Sequence, residues 1–76
     1  MLYTVYRLKS GFWLHQQGEF TKGDFDALGY RPVQIRVQSK DHIDAYIKAG
    51  IPPESIHSLY KDDVEQRLAE EVSDET

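Results

Sequence analysis

Between Pro32 and Tyr60 the spacing of apolar positions changes twice. Val33, Ile35 and Val37 alternate with Gln34, Arg36 and Gln38, which predicts a half-buried strand. Ile43, Tyr46 and Ile47 then repeat at helical spacing. Ser39 offers a hydroxyl to cap that helix, and Asp41 falls where the helix dipole favours an anion. Gly50 can take the left-handed conformation that ends a helix, and Pro52-Pro53 prevents a restart. Ile56–Tyr60 then reads as a second strand. Two parallel strands joined by a right-handed helical crossover are the expected unit.

The chain before this unit alternates as well. Leu2–Leu8 and Phe12–Gln16 read as two strands joined by a turn at Lys9-Ser10-Gly11. Leu2, Thr4, Tyr6 and Leu8 share one face; Tyr3, Val5 and Arg7 share the other. Thr21 and Asp24 have the spacing of a capping box, and Phe20 can staple onto Phe25 across it. A short helix follows, closed by Leu28 and stopped by Gly29.

At the other end, Val64, Leu68 and Val72 form a narrow stripe that predicts a helix from Lys61 to about Val72. A rival reading runs one helix from Pro53 to Val72, because Ile56 and Tyr60 extend the same spacing of four. A faint echo favours strand then helix. Ile35 and Lys40-Asp41-His42-Ile43-Asp44 are matched 21 residues on by Ile56 and Lys61-Asp62-Asp63-Val64-Glu65.

The expected order is β-β-α-β-α-β-α, a single small α+β domain over residues 1–72 with a frayed acidic tail at 73–76. An antiparallel hairpin plus a parallel β-α-β unit makes a mixed four-stranded sheet, with helices packed mainly on one face. Tyr6, Leu8, Phe12, Leu14, Val33 or Ile35, Val37, Ile43, Ile47, Val64 and Leu68 are the candidate core.

Composition narrows the function. With 76 residues and no cysteine, the chain is one domain without disulfide or thiolate metal chemistry. It shows neither a signal peptide nor an apolar run of the roughly 20 residues that span a bilayer, so a cytoplasmic protein is expected. The net charge is −4 but is unevenly spread. Residues 1–40 hold six basic and three acidic side chains, net +3, whereas residues 61–76 hold two basic and seven acidic, net −5. Such a split marks candidate interaction surfaces, although acidic runs are more often plain solvated faces.

No catalytic set stands out. His15, His42 and His57 sit on different elements without metal-ligand spacing, and no phosphate-binding glycine loop occurs. Ser39 with His42 lacks a third orienting group, and Asp41 with Asp44 is explained by the helix dipole. A non-enzymatic protein without cofactor or metal is therefore expected. The GIPPESIHSLY segment resembles the helix-to-strand joint of many α/β proteins, including nucleotide-sugar transferases. It covers only the joint and carries no site residue.

Binding is better supported. A sheet face carrying Tyr3, Arg7, Trp13, His15 and Arg36 would combine aromatic and basic groups, the composition of a protein-binding hot spot. A protein partner is expected, with inhibitor or accessory subunit as the role and a second copy of the chain among the candidates. The same groups would suit single-stranded nucleic acid, which the negative net charge disfavours. The plainer alternative has Trp13 covered by the acidic helix. That helix, with Asp62, Asp63, Glu65, Glu70 and Glu71, is a second candidate surface, able to imitate a row of phosphates.

Overall fold

The computed structural model describes the backbone of residues 1–74 and the side chains of residues 1–70. Three strands and three helices run in the order β1 (Leu2–Arg7), β2 (Trp13–Gln17), α1 (Lys22–Leu28), β3 (Gln34–Gln38), α2 (His42–Lys48) and α3 (Ser58–Asp74), with a 3-10 turn at Pro53–Ser55 before α3. The sheet is antiparallel throughout, in the order β2-β1-β3. Val5 faces His15 on one side and Ile35 on the other.

Local chemistry sets most boundaries. Gly11 takes φ 97° in the turn between β1 and β2. Thr21 and Asp24 form the complete capping box of α1, and Gly29 ends that helix at φ 79°. The staple is present too, with the Phe20 and Phe25 rings edge to face at 5.3 Å. On α2 the cap is Asp41, whose carboxylate accepts from the Asp44 amide at 2.8 Å. Ser39, the expected cap, instead donates its hydroxyl to the Asp41 carbonyl. It therefore shapes the approach to the helix. Beyond α2, the amides of Gly50 and Ile51 close back onto Ile47 and Tyr46, a helix-ending pattern that needs Gly50 left-handed.

The predicted fourth strand and its parallel β-α-β unit are absent. Ile56 makes a single parallel bridge, and its neighbour is Trp13 of β2, not β3. Pairing stops there because the next residue starts a helix. The His57 carbonyl accepts from the Tyr60 and Lys61 amides, and its ring nitrogen Nδ1 accepts from the Leu59 amide at 3.2 Å. Apart from the His57 amide, which donates to the Trp13 carbonyl, the backbone from here on is committed to the helix and not to a strand ladder. The 21-residue echo thus marks no structural repeat: Lys40-Asp41 precedes a helix, whereas Lys61-Asp62 lies inside one. The rival single helix fails as well, since Pro53–Ser55 and Ile56 interrupt it. Helix α3 runs to Asp74, and the rest of the expected tail, residues 75–76, lies outside the described residues.

The core takes the expected side of β3, with Ile35 and Val37 inward, but the faces of β1 and β2 opposite to those expected. Tyr3, Val5, Ile43, Ala45, Tyr46, Ile51, Ile56 and Val64 are buried together, and Trp13, Ile35, Val37, Ile47, Tyr60 and Leu68 pack against them. Of the candidate core, Ile43 and Val64 are buried, whereas Phe12 is 45% and Val33 56% exposed. Tyr6, Leu8 and Leu14 lie half-buried outside this cluster. Helices α2 and α3 cover the Val5 face. The other face is met by the lightly attached α1, in which no residue is buried. There Tyr6 packs on Phe20 at 4.7 Å, and the Gln16 amide donates to Asp24 at 2.8 Å. Completely burying a side chain such as Val5 or Val64 contributes about 1.5–3 kcal/mol, so α2 and α3 dominate stability.

Candidate interaction surfaces

The five residues expected to share a contact surface do not share one. Tyr3 is 7% exposed and belongs to the core. Trp13 and His15 are half-buried under α2 and α3. Arg36 points to the opposite face, where its guanidinium pairs with Glu19 at 2.8 Å. Arg7 is exposed at the end of β1, opposite Trp13 in the register of β1 and β2. The physical reason is simple: β1 is apolar on both faces, and the two helices with the larger apolar stripes chose the Tyr3 side.

What gathers around His15 instead is an aromatic cluster. The His42 imidazole stacks on it, with ring centres 4.9 Å apart and planes 18° from parallel. Tyr60 meets it edge-on at 4.8 Å, and Tyr3 at 6.1 Å. The Tyr46 hydroxyl lies 3.0 Å from His15 Nδ1. Burial raises the Tyr46 pKa, so the hydroxyl keeps its proton and shares a hydrogen bond with the imidazole whose direction is set by the His15 tautomer. Thus β1 contributes Tyr3, α2 contributes His42 and Tyr46, and α3 contributes Tyr60. No carboxylate bonds to either imidazole among the described residues.

Burial, and secondarily the neighbouring His42, lower the pKa of His15. The unfolded chain keeps the ordinary histidine value of about 6.5. The unfolded state therefore binds the proton more readily, and folding stability is complete above that value. It is lost as pH falls through 6.5 and on through the lowered folded value. The urea midpoint is expected to drop between pH 7.5 and pH 5, and His15→Gln to flatten the profile. A wild-type midpoint constant across that interval would show that His15 does not titrate against folding. The carboxylates of Asp24 and Asp41, held low by backbone amides, act only at more acidic pH.

Helix α3 is the other candidate. Its inner side presents Tyr60, Val64, Arg67 and Leu68. The Arg67 guanidinium turns in to Asp41 at 3.2 Å. On the outer side, Leu59 is 71% exposed, beside the exposed Asp62, Asp63, Glu65 and Glu70. None of these four carboxylates has a cation within salt-bridge distance among the described residues. At 3.6 residues per turn they fall within an arc of roughly 160° that holds no basic side chain. The Glu71 side chain lies outside the described residues.

No group of three or more histidine, aspartate or glutamate side chains among the described residues is arranged to hold a metal ion. No described helix is long and apolar enough to cross a membrane. No protein-family model, curated protein or solved structure matches the chain.

Proposed function

We propose that the protein is a small non-enzymatic binding module that engages a basic protein partner through the outer face of α3. The observation that carries this reading is the withdrawal of Arg67. Its pairing with Asp41 anchors α3 to α2 and holds the guanidinium at the edge of the acidic face beside Glu70, with Asp62, Asp63 and Glu65 carrying the rest of that face. Fixed like charges on a rigid helix steer an oppositely charged partner and set its orientation. Leu59 adds an apolar contact at the start of the same face. An inhibitor or accessory-subunit role follows if the partner normally binds a polyanion.

The test is a variant with Asp62→Asn, Asp63→Asn, Glu65→Gln and Glu70→Gln, used beside wild type to capture proteins from a lysate of the native host. Wild type is expected to retain basic proteins that elute as salt rises, because exposed charges are screened over about 8 Å at physiological ionic strength. The variant should retain at least about tenfold less, with an unchanged circular dichroism spectrum. Equal retention of the same proteins by both forms would overturn the reading.

A further inference from the structure

The end of the sheet near Arg7 brings three segments together: the turn after β1, one side of α1, and Tyr30–Val33. Two open clefts lie there, of about 620 Å³ and about 530 Å³, and they share Tyr30 and Arg31 as a common wall. Lys22, Phe25 and Asp26 line the first; Arg7 and Lys9 line the second. Four cations thus face one carboxylate. Arg36, Lys48 and Arg67 each have an acidic partner, whereas Arg7, Lys9, Lys22 and Arg31, like the scattered Lys40 and Lys61, have none within salt-bridge distance among the described residues.

Two of these cations lie over aromatic rings instead. The Lys9 ammonium is 4.9 Å from the centre of the Tyr30 ring, and the Arg31 guanidinium is 5.1 Å from that of Phe25. A cation over a ring is held in place while its N–H groups stay free for an oxyanion. A guanidinium plane backed by Phe25 also offers a flat surface on which a base stacks. An acidic peptide would use the charges and leave the flat surfaces unused. The net negative charge of the chain comes from its acidic C-terminal part. Helix α3 lies across the sheet from α1, so its field reaches the corner weakened by screening.

We propose that this corner binds single-stranded nucleic acid, with phosphates on Arg7, Lys9 and Lys22 and a base stacked on Arg31 over Phe25. The site is independent of the α3 face, and so is its test. Fluorescence anisotropy of a labelled ten-nucleotide oligothymidylate, read at low salt, should rise on adding the protein. Affinity should fall with salt by a slope of about 2–3, as expected for three or four phosphate contacts on a single strand. Arg31→Ala and Lys9→Ala should each weaken binding about three- to tenfold with circular dichroism unchanged. Lys40→Ala, at the other end of the sheet, should leave it as it was.

No anisotropy change at low salt would overturn the proposal. So would polyglutamate competing as well as the oligonucleotide, since stacking would then contribute nothing. Thymidine monophosphate competing equally, per nucleotide, would overturn the strand and assign the corner to a free nucleotide.

Discussion

Tyr46→Ala is expected to cost about 3–5 kcal/mol, the range for removing a large aromatic ring from a core. At the usual 0.05–0.15 kcal/mol per residue, a chain of this length is held by roughly 4–11 kcal/mol in total. The variant should therefore lose a large share of that stability, and all of it if the total lies at the low end. Tyr46 is fully buried and joins sheet to helices through His15 and Tyr60. Tyr46→Phe separates packing from hydrogen bonding. It keeps the ring and loses only the hydroxyl bonded to His15, at about 1 kcal/mol. Urea denaturation followed by circular dichroism reads both. An alanine variant as stable as the phenylalanine one would remove Tyr46 from the centre of the core.

Trp13→Ala is the second large effect, expected at about 3 kcal/mol, the low end for a tryptophan because the ring is only half-buried. The indole packs against the core cluster, while the Trp13 carbonyl accepts from the His57 amide at 3.1 Å. That backbone bond survives the substitution, so the entry to α3 should persist while the packing under it is lost. The midpoint of urea unfolding should fall with the slope unchanged. Were Trp13 an exposed anchor for a partner, the midpoint would not move.

The elements built from local signals were legible in the sequence: the hairpin, the Thr21–Asp24 capping box, the stops at Gly29 and Gly50, and the helix around Val64. Two features were not. The first was which face of β1 goes inside. Leu2, Thr4 and Tyr6 compete with Tyr3 and Val5 on nearly equal terms, and only the placement of α2 and α3 decides between them. That one choice puts Tyr3, Trp13 and His15 under the helices and leaves Arg36 on the other face. The second was the fate of Ile56–Tyr60. Its cap is a histidine ring, and histidine is not among the residues that normally announce a helix start. The spacing of four from Ile56 through Leu68 was the correct signal for the helix from Ser58 onward. The basic corner went unnoticed because Lys9 is distant in sequence from Lys22, Phe25, Tyr30 and Arg31; the cluster of charge and rings between residues 22 and 31 was the available clue.

The central position of β1 bears on how the chain acquires its structure. The middle strand comes first in the chain, its hairpin partner follows within a few residues, and its other neighbour, β3, begins only at Gln34. The hairpin alone has no apolar cover, and a bare two-stranded ribbon is marginal in water. Closing β3 onto β1, and then α2 and α3 over Val5, spans much longer loops, which is the slow step in folds of this kind. A nascent chain ending before His42 would therefore expose Tyr3, Val5 and Trp13 together, a sticky intermediate that arrival of α2, and then of α3 upon it, conceals.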